Sequence, residues 1–377
     1  MASTFSFGFS GDDIDIDESE INDEQEQTTS AEGAGNPLPE LIEAKTHEIG
    51  EWLPTLPSQL SYNRLTITKP QNDSGREITL ARREIFDVRT QLMAEDSTEQ
   101  DSNEELIAGL EEGDLKPNVY EGGFKTWECA LDLGRLVANE DLMGFAEADV
   151  NLERHVIELG AGTAIPSLTL FAQLLLKNES GLSKMRTHFT FADYNSTVLR
   201  LVTLPNLLLT WNEIVSRQST PADAPSAAED GDEELDITPE LLDSFVKDLS
   251  TRGITVAFIS GAWSPEFVNL VLGENSEGNR RTLVMASETI YSPSSLGIFS
   301  ETLLELLRRS TTPTVKSRAL IAAKKVYFGV GGGVDEFLTV LKGISGNQFD
   351  VKEKLDIKSE GVGRVVLDIS ESGSGCQ

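Results

Sequence analysis

The sequence predicts an α/β fold built on a seven-stranded, doubly wound and mostly parallel sheet with a reversed final strand. Between about residues 116 and 371, apolar runs rich in β-branched and aromatic residues alternate with segments of helical periodicity. Such alternation is typical of a parallel sheet that helices cover on both faces. Two strand-like runs follow each other closely at the end, Gln348 to Val351 and Val365 to Ile369, and they predict the reversed strand.

The other elements follow in order along the chain. Leu65 to Thr68 is strand-like, and Ala81 to Met93 places Ile85, Val88 and Leu92 on one face of a predicted helix. The strand-like runs of the main region are Val156 to Leu159, Phe189 to Ala192, Thr255 to Ile259, Thr282 to Ala286 and Ala319 to Ala323, before the final two. Helical periodicity covers Leu168 to Leu176, Val198 to Leu204, Phe299 to Leu307 and Val334 to Leu341.

Composition divides the chain into a main domain and its extensions. Residues 1–50 are mostly polar and acidic, and they predict a disordered extension because they bury too little apolar surface to offset ordering. Residues 51–115 are mixed and predict an extension that packs on the core. The domain then spans 116–371, with an acidic surface insertion at 219–237 and a flexible tail at 372–377.

Charge and composition restrict the partners that we expect. The 377 residues include 63 Asp and Glu against 31 Lys and Arg, a net charge of −32. Phosphates would be repelled, so we expect no direct nucleic-acid binding and favour a basic protein partner. No apolar run reaches the roughly 18 residues of a membrane span, and no secretory signal is expected. Two cysteines and three histidines predict no disulfide framework and no metal site, which favours the cytoplasm or nucleus.

A glycine loop, Glu158-Leu159-Gly160-Ala161-Gly162-Thr163-Ala164, directly follows the first strand-like run of the main region. Ligands of doubly wound sheets lie beyond the carboxyl ends of the strands, where residues without bulk let the backbone pass close to them. A dinucleotide site would want a third glycine where Ile165 stands. The order acid-x-Gly-x-Gly-x-small therefore favours S-adenosylmethionine. A dinucleotide site and a tight turn without a ligand are the alternatives.

The next two strand-like runs also end in candidate binding residues. Asp193, followed by Tyr194 and Asn195, can accept both ribose hydroxyls of a nucleoside; the alternative is a cap on the following helix. Gly261, Ala262 and Trp263 combine a small turn with an indole that can stack on adenine. The alternative for the indole is a place in the core.

Polar residues after the fourth run are the candidates for catalysis. Ser287, Glu288 and Tyr291 end the strand beside the glycine loop's own strand, where a transferred methyl group is expected. Glu288 and Tyr291 offer an acceptor and a donor that orient a substrate, or else they form a buried polar pair. Upstream, the segment from Tyr120 to Cys129, dense in Gly, Lys, Trp and Glu, predicts either a flap over the cofactor or an ordinary packed entry loop.

Several longer strings are similar to the fungal histidine protein methyltransferases. The strings are Tyr120 to Cys129, Glu158 to Ser167, Asp193 to Asn195, Val198 to Val202, Ser260 to Trp263, Ser287 to Tyr291, Val326 to Gly332, Arg83 to Val88 and Phe5 to Phe9. Together they extend over nearly the whole chain outside the acidic tracts. The chain departs from the family chiefly in its acidic insertion and linker lengths, which touch no motif.

The resemblance implies a Rossmann-like class I methyltransferase fold and methylation of one histidine in a large-subunit ribosomal protein, ribosomal protein L three. It links the chain to ribosome biogenesis and translation. The cofactor contacts implied by position are Thr126, Trp127, Glu128, Cys129, Ala130, Glu158, Gly160, Asp193, Tyr194, Asn195, Gly261, Ala262, Trp263 and Ser287, and the glycine loop adds Leu159 and Gly162. Two rivals stay open: a lysine methyltransferase on the same fold and a non-catalytic module that binds the ribosomal protein. We expect a monomer.

Overall fold

The structure is a computed structural model. It describes residues 42–67, 77–96, 122–144, 153–177, 186–219, 233–273, 280–329, 331–358 and 361–372. These residues belong to one compact unit, Leu41–Gln377. The disorder predicted for the first 41 residues and the predicted flexibility after Ser372 lie outside the described residues.

Eleven strands are found in the described residues. They are β1 (Lys45–His47), β2 (Gln59–Ile67), β3 (Ile78–Arg83), β4 (Glu153–Leu159), β5 (Thr187–Asp193), β6 (Glu233–Asp236), β7 (Ile254–Ser260), β8 (Arg280–Ser287), β9 (Arg318–Lys324), β10 (Phe349–Ile357) and β11 (Arg364–Glu371). Eight of them form the main sheet, in the order β1-β7-β5-β4-β8-β9-β11-β10. The five strands from β7 to β9 in this order are parallel. Strand β11 is antiparallel to both of its neighbours, which confirms the mostly parallel sheet and its reversed final strand.

The helices lie on both faces of the main sheet. They are α1 (Ile49–Trp52), α2 (Ile85–Asp96), α3 (Glu128–Asn139), α4 (Ile165–Lys177), α5 (Ser196–Val198), α6 (Leu204–Ser219), α7 (Pro239–Thr251), α8 (Pro265–Leu272), α9 (Leu296–Ser310) and α10 (Val334–Ser345). A 3-10 turn, Leu53–Thr55, follows α1, and a π-helical segment, Leu199–Thr203, joins α5 to α6. No helix in the described ranges is long and apolar enough to cross a membrane.

Alternating side chains of the strands build two cores. On β4, Val156 packs into the core formed with α3, α4, α6 and α7. The next residue, Ile157, packs into the opposite core with α8, α9 and α10. Successive side chains of a strand point to opposite faces, so continuous apolar strands can be buried on both sides. The sheet is therefore doubly wound, as the sequence predicts.

Strand β1 corrects the predicted boundary of the N-terminal extension. The sequence analysis assigns residues 1–50 to disorder, but Lys45–His47 pair antiparallel with β7 and add an eighth strand to the seven predicted. His47 provides the reason, because its Nε2 lies 2.7 Å from the Ser260 hydroxyl oxygen. Its ring also stacks on Trp52, with centroids 4.5 Å apart.

A second sheet of three strands, in the order β3-β2-β6, requires two more corrections. The helix predicted from Ala81 begins only at Ile85, because the chain up to Arg83 pairs with β2. The insertion predicted at 219–237 contains β6, which pairs with the other edge of β2. The described end of this acidic segment is therefore part of the folded unit.

Candidate functional site

The glycine loop lies between β4 and α4 and needs small residues for two reasons. Gly160 and Gly162 have φ angles of +64° and +50°, a region that favours glycine. A Cβ atom at Gly160 would lie 2.7 Å from Cγ2 of Thr289, and one at Gly162 would lie 3.1 Å from the Gly123 carbonyl oxygen. The loop is thus enclosed by the segment after β8 on one side and by the loop before α3 on the other.

Side chains from elements later in the chain hold the loop in place through hydrogen bonds to its backbone. The Asp193 carboxylate accepts a hydrogen bond from the backbone N–H of Gly162, over 3.0 Å. Thr203 donates to the Gly162 carbonyl over 2.7 Å, and Asn206 donates to the Thr163 carbonyl over 3.1 Å. Neither residue is among those predicted from the sequence. Buried polar side chains within the apolar pattern after Asp193 were the signal that could have found them.

Asp193 and Asn195 lie where predicted, but neither acts as a simple helix cap. The second oxygen of Asp193 accepts from the backbone N–H of Asn195 over 3.1 Å. Asn195 occupies the N-cap position of α5, yet its side chain makes no capping hydrogen bond. Tyr194 is half-buried between them. The structure therefore brings the glycine loop and the tip of β5 into direct contact.

Glu158, at the end of β4, is 1% exposed. One carboxylate oxygen accepts from the backbone N–H of Ser167 over 3.0 Å. Burial raises the pKa of Glu158 to about 8. The carboxyl is therefore mostly protonated at neutral pH, and a cationic group bound beside it would favour its ionised form.

Three buried polar atoms on these loops have no hydrogen-bond partner among the residues that the structure describes: one oxygen of Glu158, the amide nitrogen of Asn195 and the hydroxyl of Thr289. Buried polar groups are normally hydrogen-bonded. This surplus of hydrogen-bonding capacity, beside a loop that excludes bulk, fits a polar ligand. The nucleoside and charged methionine tail of S-adenosylmethionine are of that chemistry.

The turn after β7 is covered by the N-terminal segment. Gly261 has a φ of +113°, and a Cβ atom there would lie 2.5 Å from the Glu43 carbonyl oxygen. The backbone N–H of Ala262 donates to the Ile42 carbonyl over 2.9 Å. Trp263 packs edge-on against Phe267, with ring centroids 5.0 Å apart. The indole is thus half-buried against a core, as the alternative interpretation of Trp263 expects.

The residues from Thr126 to Ala130 connect the glycine loop to the end of β8. Thr126 donates to the Thr163 hydroxyl over 3.1 Å. Trp127 donates through its indole to the Gly122 carbonyl over 2.9 Å, and the Cys129 backbone N–H lies 3.5 Å from a Glu288 oxygen. This segment therefore contacts both the glycine loop and Glu288, and its own residues Cys129 and Ala130 are buried.

Glu288 is surrounded by groups that the sequence analysis did not connect with it. Its side chain is 8% exposed and its φ is +57°, which is unusual for a residue with a side chain. Lys324, at the end of β9, places its Nζ 3.7 Å from Glu288 and 3.0 Å from Glu128. The Tyr327 hydroxyl accepts from the Lys324 backbone N–H over 3.2 Å, and burial and the nearby charge of Glu288 raise the pKa of Tyr327. Lys324 ends a different strand, β9, and Tyr327 follows it, so local patterns gave no signal for this cluster.

The other two predicted residues after β8 also lie at this edge. Ser287 is the last residue of β8 and pairs with Ala322 of β9. The Tyr291 ring meets the Tyr327 ring edge-on, with centroids 6.3 Å apart. The acceptor and donor candidates therefore flank one cluster, in which Lys324 and the start of α3 contact the Glu288 carboxylate.

The chain is similar in sequence to curated proteins, although no protein-family model matches it. Histidine protein methyltransferase 1 of Saccharomyces cerevisiae is 36% identical over 359 residues, or 89% of this chain and 89% of that protein. The protein of the same name from Schizosaccharomyces pombe is 34% identical over 368 residues, or 97% of this chain and 93% of that protein. A homolog from Rattus norvegicus is 31% identical over 260 residues, or 68% of this chain and 59% of that protein.

Both yeast relatives align over most of their own length, so the similarity includes the glycine loop and the cluster around Glu288 in one continuous match. The doubly wound sheet with its reversed final strand is the architecture that this family resemblance implies. The chain therefore belongs to the histidine protein methyltransferase family and is an S-adenosylmethionine-dependent protein-histidine N-methyltransferase.

Proposed function

We propose that the chain methylates one histidine of a basic large-subunit ribosomal protein, ribosomal protein L three, and so acts in ribosome biogenesis and translation. The catalytic part of this proposal rests on the position of Glu288, a nearly buried carboxylate at the carboxyl end of β8. Thr289, the next residue, touches the glycine loop at Gly160. An acceptor side chain that reaches Glu288 therefore comes close to whatever the glycine loop binds.

The cofactor site that we propose follows the loops around Gly160. The two glycines form its floor, and the Asp193 carboxylate lies at its ribose side. Glu158 lies beneath the loop, where one of its oxygens has no hydrogen-bond partner among the described residues and can bond to a polar group of the ligand. The residues assigned to the remaining walls are Thr126, Trp127, Glu128, Cys129, Ala130, Leu159, Tyr194, Asn195, Gly261, Ala262, Trp263 and Ser287. S-adenosylmethionine supplies an electrophilic methyl group on a sulfonium when it is bound.

Histidine is an acceptor that needs little activation. An imidazole with a pKa of about 6.5 is mostly neutral at pH 7 and already offers a lone pair on one ring nitrogen. A lysine, with a pKa of about 10.4, must first lose a proton, which costs roughly 4–5 kcal/mol at pH 7. The site therefore has to position the ring and select its tautomer, and it needs no strong base.

Glu288 is suited to this positioning. A carboxylate can accept the N–H of one ring nitrogen, which leaves the other nitrogen's lone pair facing the methyl group. Positive charge moves onto the ring as the methyl is transferred, and the Glu288 carboxylate stabilises that charge. When the ring N–H proton is released, the product returns to a neutral methylimidazole. Tyr291, whose ring lies against Tyr327, lines the same space.

The net charge of −32 supports a basic protein as the substrate. Opposite charge accelerates the encounter of two proteins, and phosphate backbones are repelled by the same field. We therefore propose that the free ribosomal protein is methylated before assembly, in the cytoplasm or nucleus, by a monomeric enzyme that does not bind nucleic acid or membranes directly.

Transfer of a labelled methyl group into recombinant ribosomal protein L three tests the proposal. We expect label on a single histidine by mass spectrometry, loss of label when that histidine is changed to alanine, and normal label in variants with neighbouring lysines changed to alanine. Glu288→Ala and Tyr291→Phe are measured in parallel. Label on a lysine would favour the alternative of a lysine methyltransferase. Full turnover in both variants would rule out the role proposed for Glu288 and Tyr291. An unchanged cellular phenotype with Asp193→Ala would favour the non-catalytic module.

A further inference from the structure

We propose that Lys324 is a specificity-determining residue, whose ammonium group weakens the binding of a cationic acceptor, such as lysine, beside Glu288. This inference deepens the proposed function and rests on the role proposed above for Glu288. Lys324 is the last residue of β9 and lies outside every motif from which the sequence predicts the reaction.

Three contacts fix the ammonium group of Lys324. Its Nζ lies 3.0 Å from a carboxylate oxygen of Glu128 and 5.4 Å from the centre of the Trp127 ring. It also lies 3.7 Å from Oε1 of Glu288. The Lys324 side chain is 20% exposed and that of Glu288 is 8% exposed, so water screens the interaction of these two charges only partly.

Both of these neighbours of the Glu288 carboxylate approach it from one side. The backbone N–H of Cys129 lies 3.5 Å from Oε1, which is the oxygen that Lys324 also approaches. We therefore assign the second oxygen, Oε2, to the acceptor. Because the two oxygens belong to one carboxylate, a group bound at Oε2 interacts electrostatically with the Lys324 ammonium as well.

The other ionisable groups around Lys324 determine the charge of this edge. Glu128, at the start of α3, is a second carboxylate. The thiol of Cys129 and the phenol of Tyr327 stay neutral, because burial raises the pKa of each. Within the part of the chain that the structure describes, Lys324 thus faces two carboxylates and is the ammonium that offsets one of them.

Arg364 of β11 also lies near this edge and acts on the Glu128 carboxylate through its charge. Its guanidinium donates to the Asp132 carboxylate of α3 over 2.5 Å. The charges of Arg364 and Asp132 therefore balance each other, and Lys324 remains the cation that decides how strongly the edge attracts a positive group.

A histidine and a lysine acceptor respond differently to the Lys324 ammonium. A neutral imidazole can donate its N–H to Oε2 without charge repulsion. A lysine ammonium is attracted by the carboxylate but repelled by Lys324. Nearby positive charge also lowers the pKa of a bound imidazole, which favours the neutral form that carries the lone pair. Positive charge develops on either acceptor during methyl transfer, so the discrimination arises when the acceptor binds.

Binding of two acceptors to the enzyme saturated with S-adenosylhomocysteine tests this inference. One acceptor is ribosomal protein L three, and the other is its variant with the target histidine changed to lysine. We expect the lysine acceptor to bind Lys324→Met at least about tenfold more tightly than the unaltered enzyme, because both carboxylates then lack their ammonium. Affinity for the histidine acceptor should change less than about threefold, since its imidazole is mostly neutral.

Glu128→Gln should change the affinity in the opposite direction. It removes one carboxylate and keeps Lys324, so we expect the lysine acceptor to bind about threefold or more weakly than to the unaltered enzyme. A purely structural role of Lys324 would instead weaken the binding of both acceptors to Lys324→Met. Melting temperatures identify a variant that does not fold. Lys324→Gln is the second neutral variant, and the Glu128 side chain is exposed, so its replacement leaves the core intact.

The pH profile of kcat with the histidine acceptor is an independent readout. The rate falls at low pH as the bound imidazole gains a proton and loses its free lone pair. Without Lys324, the positive charge that lowers the pKa of this imidazole is gone. We therefore expect the acidic limb of the profile for Lys324→Met to move to higher pH, by up to about one pH unit. Lys324→Arg keeps the charge and should restore the profile of the unaltered enzyme.

Lys354→Met is the matched control. Lys354 of β10 also pairs with a glutamate, Glu140, over 3.0 Å, but Glu140 follows the other end of α3. Its affinities for both acceptors should equal those of the unaltered enzyme. Unchanged or weaker binding of the lysine acceptor to Lys324→Met and Lys324→Gln would overturn the inference while the unaltered enzyme still labels histidine. If the unaltered enzyme labels lysine or nothing, it is the proposed function that fails.

Discussion

Two glutamates of the site show how surroundings set the role of a carboxylate. Glu158 is fully enclosed, and its contact with Ser167 does not offset the burial that raises its pKa. Glu288 is almost as enclosed, but Lys324 and Tyr327 lie beside it. Both glutamates could be found from their place at the ends of predicted strands. The difference between their surroundings could not be predicted, because Glu288 lies beside residues at and after the end of β9, a separate strand.

The pKa of Glu158 predicts a dependence of stability on pH. The folded chain holds a proton on Glu158 up to about pH 8, while the unfolded chain releases it near the ordinary value of 4.5. Between these two values the unfolded state binds fewer protons, so the native state loses stability as pH rises. Glu158→Gln keeps the shape of the side chain without a titrating proton. From pH 5 to pH 8, we expect the free energy of unfolding of this variant to rise by a few kcal/mol relative to that of the parent.

Urea unfolding of the cofactor-free proteins at several pH values measures this difference. Glu301→Gln is the control, because Glu301 is exposed on α9 and lies away from the glycine loop. Its difference from the parent should stay constant with pH. A constant difference for Glu158→Gln as well would mean that Glu158 ionises normally in the folded chain.

At the scale of elements, the secondary-structure predictions fail where a strand pairs with a segment that is far away along the chain. Val88 and Leu92 of the predicted helical face are buried, whereas Ile85 is 37% exposed. The preceding residues form β3 instead, because β2 lies beside them. Strand β6 is more extreme, since its sequence Glu-Glu-Leu-Asp has little intrinsic strand preference. Arg64 of β2 pairs with both Glu213 and Glu233 and so stabilises this edge. Partners this far apart along the chain leave no local signal.

The loop after β9 provides a prediction about substrate binding. Phe328 is 79% exposed, and it follows Tyr327 directly. An apolar side chain beside the proposed catalytic edge can be covered by the acceptor protein, and burial of a phenylalanine contributes about 2 kcal/mol. We expect Phe328→Ala to raise KM for the protein substrate at least about tenfold. Affinity for S-adenosylhomocysteine should not change, because Phe328 faces solvent.

Phe86→Ala is the matched control for this experiment. Phe86 is 78% exposed, but it lies on α2. Steady-state kinetics with the protein substrate and calorimetry with the cofactor analogue distinguish the two positions. Similar KM values for Phe328→Ala and the parent would show that the acceptor protein binds elsewhere, and a rise in both variants would indicate a general effect of surface hydrophobicity.

At the scale of the whole molecule, the main sheet was predictable because its signal is local and repeated. Each central strand is an apolar run, and a helix follows most of them, so the alternation specifies a doubly wound sheet. Strand β1 is different. Its three residues are joined to β7 across most of the chain through contacts such as His47 with Ser260. Composition alone placed this segment with the acidic extension, and only the tertiary partner reveals its place in the sheet.

The overall charge also acts at this scale, and it predicts how fast the substrate binds. Residues 1–41 contain eleven Asp and Glu and no Lys or Arg, about a third of the net charge of −32. An excess of one sign steers a basic partner, and salt screens that attraction over a Debye length of about 8–10 Å. We expect the association rate with the basic acceptor protein to fall roughly tenfold between low salt and 0.3 M salt.

Stopped-flow or surface-based association measurements across a salt series test this prediction, with binding of S-adenosylhomocysteine as the reference. A variant without residues 1–41 should associate more slowly at low salt and show a shallower salt dependence, while its cofactor affinity is retained because no residue of the proposed pocket is removed. The two proteins should converge at high salt, where the long-range field is screened. An association rate that is independent of salt in the full chain would show that short-range contacts alone bring the substrate to the site.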